Sequence, residues 1–390
     1  VIRLREGEPA EHELPAATAA ALATSGIVKV TPGPRPGLWR LVAHRLVGAA
    51  RVAGVELRIA PKTPVDRLFF LLGYARRPHG SRPEQVEAGE RPELLPALAH
   101  AFVRAADRAL QQGVLQGYRE AEEALPVVRG RIRLADQVRR RYGFPLPVEV
   151  SYDDHTVDIA ENRLLRAAAE RLLRLPGLPA VTRTGLHHVL ARLAGVGRIT
   201  PGQPPPAWRP TRLNARYHVA LGLAELVLRG ASYELDDGTR LRVDGLLVDM
   251  AIVFEDFVSI ALAEALRPHG GYPKFQDRAH HLDHGRRVPL RPDLVWYRDA
   301  TPVGVVDAKY KVEDGAGVAN ADLYQMLAYC TVLGLPRGHL VCVRGDGEPQ
   351  RYAVRGCGVE IVQHALDLAV PPDDLLAQVR EIASQVVAGR

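Results

Sequence analysis

The strongest constraint on this chain is a pair of apolar runs that read as the two strands of one hairpin. Residues 291–297 and 303–311 flank the turn Arg298-Asp299-Ala300-Thr301-Pro302. With the turn centred on Ala300, Asp293 lies opposite Asp307, and partners opposite each other project from one face. Lys309, two residues beyond Asp307, shares that face. The remainder of both runs is apolar core strand. Charges on such a strand are costly to bury unless they pair with one another or bind a metal.

Two carboxylates and an ammonium on one ribbon suit a particular chemistry. A hard cation such as Mg²⁺ (or Mn²⁺) takes one or two protein carboxylates and completes its shell with water and phosphate. It can then activate a water for attack on a phosphodiester. Asp293 and Asp307 are the candidate ligands. Lys309 is the catalytic cation, able to orient or deprotonate the water and offset charge in the transition state. Asp-x-Lys alone is equally what an edge-strand ion pair looks like. Pro292-Asp293 ahead of a hairpin of matching length, with helices on both sides, separates the two readings.

The helix before the hairpin, read over 246–266, carries Glu255 in a stripe that is apolar on nearly every side. An acid placed there must be neutral, paired or metal-associated, so Glu255 is a further candidate catalytic and metal-site carboxylate. Asp256 shares its face with Asp249 and is the poorer candidate. After the hairpin, Gln325 and Tyr329 lie four apart on one helical face, with Asp322 a turn earlier. They read either as supporting site residues or as a surface polar stripe.

Composition sharpens one point. Only five of the 51 basic residues are lysine: Lys29, Lys62, Lys274, Lys309 and Lys311. Where arginine is the default, a retained lysine needs a reason, and arginine cannot imitate a compact ammonium of tunable pKa. The net charge of +6 is compatible with a polyanionic partner. The three cysteines fit neither zinc spacing nor a disulfide framework. No apolar run is long enough to span a membrane, and the first residues alternate like a strand and lack the apolar core of a signal peptide. A cytoplasmic protein with no membrane contact is the expectation.

Three regions are expected: a β-rich 1–90, a mainly helical 91–230, and an α/β domain over 231–390 with a mixed central sheet flanked by helices. In the first, strands at 1–6, 27–31, 38–46 and 55–59 surround helices at 14–24 and 65–74, and 78–92 is a polar, proline-containing break. In the second, helices are read at 94–117, 162–175, 183–194 and 215–228. Between them Arg129, Arg131, Arg133, Arg139, Arg140 and Arg141 form either a solvated face or a phosphate-tracking surface. The third holds the hairpin, helices at 246–266, 321–333 and 372–387, and strands at 339–343 and 350–354.

The set Pro292-Asp293, Asp307-Ala308-Lys309 and Gln325-x-x-x-Tyr329 resembles the PD-(D/E)xK nuclease superfamily. More narrowly, the chain resembles the McrC family, the nuclease subunits of McrBC-type modification-dependent restriction systems. Pro61-Lys62 with Asp66 to Ala75, Arg129-Gly130-Arg131-Ile132, Tyr152-Asp153-Asp154, Thr156-Val157-Asp158, Glu161-Asn162-Arg163 and Leu213 to Tyr217 extend the likeness over most of the chain. The resemblance implies an α+β chain ending in a PD-(D/E)xK domain. It implies Asp293, Asp307 and Lys309 as catalytic residues, with Glu255, Gln325 and Tyr329 in support. It also implies a Mg²⁺-dependent DNA endonuclease acting on modified DNA. Its partner is an AAA+ GTPase, a McrB-like hexamer, which the 1–90 region docks on and stimulates. The absence of a Gly-x-x-x-x-Gly-Lys-Ser/Thr loop agrees with a separate motor.

Two other readings stay open from the residues alone: a structural activator of an AAA+ ring, and a stand-alone repair nuclease. His280, His281 and His284, with His269 nearby, lack cysteine neighbours and a clear helix. They read as a polar loop near DNA rather than a zinc site.

Overall fold

The computed structural model describes residues 1–74, 94–175, 177–200, 203–230, 232–234, 240–242, 244–310, 320–343 and 350–388. The proline-containing break at 78–92, Ala75 and Lys311 lie outside them. The chain forms two compact units, one built from 1–97 together with 230–390 and the other from 98–229.

The first unit begins with β1 (Ile2–Arg5), β2 (Pro9–Glu13), α1 (Ala16–Thr24), β3 (Lys29–Pro32), β4 (Leu38–Val42), β5 (Leu46–Val52), β6 (Val55–Ala60) and α2 (Val65–Tyr74). The run expected as one strand over 38–46 divides into β4 and the start of β5, which belong to different sheets. β2, Pro-Ala-Glu-His-Glu, carries no apolar alternation to announce it.

The second unit contains α3 (Leu94–Leu110), β7 (Gly117–Leu125), β8 (Arg131–Ile132), α4 (Leu134–Arg141), β9 (Val148–Thr156), α5 (Ala160–Leu172), α6 (Ala180–Arg192) and α7 (His218–Arg229). The helix expected over 94–117 stops at Leu110, with Gly113 in the left-handed region at φ 92°. Its last residues instead lead into a three-stranded sheet ordered β7-β9-β8, which accompanies the expected helices.

The first unit resumes with β10 (Ser232–Glu234), β11 (Arg240–Arg242), β12 (Asp244–Asp249) and α8 (Met250–Leu266). It continues with β13 (Tyr272–Phe275), β14 (Leu294–Arg298), β15 (Thr301–Lys309), α9 (Asn320–Leu333), β16 (Arg337–Val343), β17 (Arg351–Ala353), β18 (Glu360–Leu366) and α10 (Pro372–Val387). The apolar run expected as helix from 246 is strand up to Asp249, because β12 pairs antiparallel with β5. The four-stranded sheet is thus β1-β6-β5-β12, completed by a strand from the far end of the chain. Close approach there needs glycine: a Cβ on Gly48, at φ 124°, would meet the Leu246 carbonyl oxygen at 2.2 Å. Asp249 then caps α8, its side chain accepting from Ala251 N at 2.9 Å.

The six-stranded sheet runs β13-β14-β15-β16-β18-β17 and is mixed: the β15–β16 and β16–β18 pairs are parallel, the rest antiparallel. α9 covers one face through Met326, Tyr329, Cys330 and Leu333, packed on Val295, Val305, Leu340 and Ile361. Gly338 lets this helix approach, since a Cβ there would meet Met326 Sδ at 2.4 Å. α8 and α10 pack together and against β15. Among the described residues no helix is long and apolar enough to cross a membrane.

Candidate active site

The hairpin turn is tighter than its sequence suggests. Arg298 pairs with Thr301, leaving Asp299 and Ala300 as a two-residue turn at φ 49° and 61°, the left-handed pair a type I′ turn demands. A bulge follows, because Trp296 pairs with Gly304 while Tyr297 pairs with Pro302, leaving Val303 as the extra residue. The bulge restores the register assumed for a turn centred on Ala300. Leu294 pairs with Val306, and Asp293 faces Asp307. Asp293 Oδ2 accepts from Ala308 N at 2.8 Å.

Pairing of Phe275 with Leu294 extends the same level onto β13, so Gln276, Asp293 and Asp307 lie in one row across three strands. Gln276 N donates to the Asp293 carbonyl at 3.1 Å. The Gln276 amide donates to Asp293 Oδ1 at 3.1 Å and to Glu255 Oε1 on α8. Its backbone is left-handed at φ 50°, a conformation that costs a non-glycine residue energy and is held by its surroundings. No motif pointed to Gln276. Its place depends on a third strand whose pairing the sequence does not disclose.

Lys309 completes the group. Its Nζ is 2.5 Å from Asp307 Oδ2 and 3.7 Å from Asp322 Oδ1, and it donates to Gln325 Oε1 at 2.8 Å. Gln325 in turn donates to the Tyr329 hydroxyl at 2.9 Å. The six residues singled out from the hairpin and its flanking helices, Glu255, Asp293, Asp307, Lys309, Gln325 and Tyr329, therefore line one cavity of about 430 Å³. Gln276, Leu290 and Arg291 are on its wall.

The electrostatics follow from burial. Asp293 and Asp307 are 8% and 2% exposed. Desolvation, then repulsion from Glu255, pushes the Asp293 carboxyl up to about 7, and desolvation with repulsion from Asp293 does the same to Asp307. Glu255 is raised too, mainly by burial and further by Asp256 and Asp307. Burial works against the charge of Lys309, yet the Asp307 carboxylate holds its ammonium above the ordinary value. This acid cluster is short of positive charge. Among the described residues no three His, Cys, Asp or Glu side chains close up into a ready-made metal cage. Asp293 and Asp307, with Glu255 beside them, nevertheless supply the one or two hard oxygen donors that Mg²⁺ or Mn²⁺ takes from protein.

The arginines of 129–141 belong to the other unit. Arg129 pairs with Asp154 at 3.0 Å and stacks over Tyr152, Arg133 with Glu122 at 3.0 Å, and Arg141 with Glu149 at 3.0 Å. Arg140 lies 3.6 Å from the same Glu149. Arg131 and Arg139 are exposed. Asp158, Arg163 and Asn214, noted in the family-like segments, act as fasteners. Arg163 grips Asp158 through two bonds of 2.6 Å, and Asn214 donates to Glu161 at 3.0 Å.

Fold and cavity together define a mixed α/β protein with a buried carboxylate–lysine centre on a central hairpin. The family model described as McrBC 5-methylcytosine restriction system component matches residues 41–342. The chain belongs to that family. It shares its fold, at TM-score 0.60 and 19% identity over 99% of both chains, with a chain of a half-complex from a tetradecameric assembly of Thermococcus gammatolerans McrB AAA+ hexamers with bound McrC. A chain of the cryo-EM structure of the Thermococcus gammatolerans McrBC complex also matches, at TM-score 0.42 and 20% identity over 68% of this chain and 88% of that one. No curated protein matches.

Proposed function

We propose that this chain is a Mg²⁺-dependent DNA endonuclease of the PD-(D/E)xK type, the cutting component of a modification-dependent restriction complex. The observation that carries the reading is the convergence of Glu255, Asp293, Asp307 and Lys309 on one cavity. A divalent ion held by Asp293 and Asp307, with Glu255 in reserve, would supply Lewis-acid stabilisation of phosphate charge and a more acidic water. The protein's own residues do the rest. Lys309, kept protonated by Asp307, serves as a fixed cation toward the phosphate rather than as a base. Gln325 fixes the ammonium's direction, and Tyr329 fixes Gln325. Gln276 holds two of the carboxylates in place, which limits the reorganisation needed when the ion arrives.

The partner in this reading is an AAA+ GTPase hexamer. Docking was expected on 1–90, where Val1 is the one large apolar side chain exposed among the described residues. In the second unit Val127, Val128, Leu134, Val138, Tyr142, Phe144 and Leu146 are between 57% and 83% exposed. Apolar area of that kind on one short segment marks an interaction surface, and we place the motor contact there.

Cleavage of modified DNA with the partner present tests the reading. Asp307→Ala and Lys309→Ala are expected to abolish cutting and keep stimulation of the partner's GTPase. Persistent cutting by either variant would show the chemistry to lie elsewhere.

A further inference from the structure

Residues 280–290, between β13 and β14, are a built object that the proposed chemistry does not use. Leu282 N donates to Val288 O at 2.9 Å and Leu290 N to His280 O at 2.9 Å, and His281 bridges Pro289, so 280–290 forms a short antiparallel ribbon. Asp283 closes its tip, accepting from Arg287 N at 2.8 Å and Val288 N at 2.9 Å. The base is fastened to β14 by a buried relay. Tyr297 donates to Asp277 Oδ2 at 2.7 Å, and His280 Nε2 meets the Tyr297 hydroxyl at 2.7 Å. With the tyrosine proton spent on Asp277, His280 must donate through Nε2–H. Lys274 Nζ lies 4.5 Å over the Tyr297 ring and supports the same anchor.

This ribbon stands beside the cavity, since Pro289, Leu290 and Arg291 at its end are cavity wall. Between 278 and 291 it carries Arg278, Arg286, Arg287 and Arg291 against one acid, Asp283, which is engaged with the tip. The Arg287 side chain donates through Nε to Asp283 Oδ2 at 3.2 Å and is still 85% exposed, and Arg286 is exposed in a left-handed turn at φ 55° that directs the chain around the tip. A phosphate chain approaching three carboxylates is repelled unless positive charge is supplied nearby, and among the described residues that line the cavity the cations are Lys309 and Arg291. A hydrogen-bonded base fixes the ribbon's position, its 289–291 end is cavity wall, and Arg286 and Arg287 stand at its tip.

We propose that the ribbon 280–290 is a DNA-backbone grip, which holds phosphates next to the bond cut in the Asp293–Asp307 cavity through Arg286 and Arg287. The inference rests on the nuclease reading above. It assigns the ribbon affinity rather than sequence choice, because phosphate contacts carry no base information.

Binding of a fluorescein-labelled DNA duplex to the full chain, followed by anisotropy without divalent ion, tests it. Arg286→Glu with Arg287→Glu is expected to weaken binding about tenfold or more and to reduce the salt slope by about 2, one for each lost phosphate contact. Arg286→Gln with Arg287→Gln should fall between, and circular dichroism should be unchanged for both. Tyr297→Phe should speed hydrogen exchange across 280–290 and weaken binding without changing charge. Asp307→Ala removes one repelling carboxylate and should bind at least as tightly as the wild type while failing to cut. Wild-type affinity and salt slope in the double glutamate variant would overturn the grip, as would a wild-type chain that does not bind the duplex. Cutting by Asp307→Ala would overturn the nuclease reading alone, leaving the binding result to judge the ribbon.

Discussion

Tyr310 donates its hydroxyl to Glu6 Oε2 at 3.1 Å, tying the residue after Lys309 to the end of the first strand. Glu6 is 2% exposed and also accepts from Lys62 N at 3.2 Å, while Lys62 Nζ lies 4.3 Å above the Tyr310 ring. Burial raises the Glu6 carboxyl and lowers the Lys62 ammonium, each opposed by the charge of the other. Lys62, another of the five lysines, thus lies against the residue that follows Lys309. Tyr310→Phe removes one bond to a buried carboxylate, and about 1–3 kcal/mol of unfolding free energy should be lost. Urea denaturation checks this. A variant as stable as the wild type would show that Glu6 does not need the hydroxyl.

The carboxylate pair makes stability depend on pH and metal together. Asp293 and Asp307 titrate near 7 when folded, against about 3.9 when unfolded. A raised folded pKa gives a contribution fully present below about 4 and lost as pH rises through 7. Without divalent ion, Tm should therefore fall between those limits. Mg²⁺ or Mn²⁺ should raise Tm more at pH 8 than at pH 5, and Asp293→Asn with Asp307→Asn should remove the difference. Equal metal shifts at both pH values, or persistence in the double variant, would contradict this.

A buried histidine pair works in the opposite direction. His339 Nδ1 and His364 Nε2 are 2.9 Å apart on β16 and β18. Desolvation first, then the other histidine and Arg337, lowers His339 to about 3, and desolvation with Arg351 lowers His364 to about 4. A depressed folded pKa gives stability present above about 6.5 and lost as pH falls toward 3. Differential scanning calorimetry of His339→Leu should give a shallower acid limb than the wild type. An identical limb would remove the pair from the account.

Gln276→Ala deletes the amide between Glu255 and Asp293 and leaves the strand row in place. Cleavage should drop by about tenfold or more, in the range seen when groups supporting metal ligands are lost, and part of the loss should return at high Mg²⁺. Titration of the rate with metal separates this from a folding defect, in which added metal would restore nothing.

Docking through the second unit gives a prediction of its own. Tyr142→Asp with Phe144→Asp should abolish stimulation of the partner GTPase while the thermal transition stays within a few degrees, because both side chains are more than 70% exposed. Full stimulation by this variant would move the contact elsewhere.

The hairpin was legible because its chemistry is local: Asp293, Asp307 and Lys309 could be placed on one face by counting. The count gave the right register through a wrong turn, since a two-residue turn and a bulge at Val303 replace the five-residue loop. Glu255 showed itself as an acid in an apolar stripe. Gln276 did not, because nothing near it in sequence says that β13 pairs beside Asp293. Non-local pairing also explains the start of α8, where Leu246 to Asp249 read as helix and became strand only through β5. The sheet of the middle region was hidden by polar, glutamate-rich strands such as β7.

The meeting of β5 and β12 at Gly48 has a consequence for how this chain can be inherited. β12 is the outermost strand of a sheet begun near residue 2, and it passes through Asp249 directly into the helix bearing Glu255. A fragment cut at the start of the C-terminal segment would carry a strand with no neighbour, an adhesive edge, and a helix hung from it. The carboxylate–lysine centre is therefore not a cassette to be moved without the first strands. A chain that lost the first strands would lose the seat of the acid helix as well.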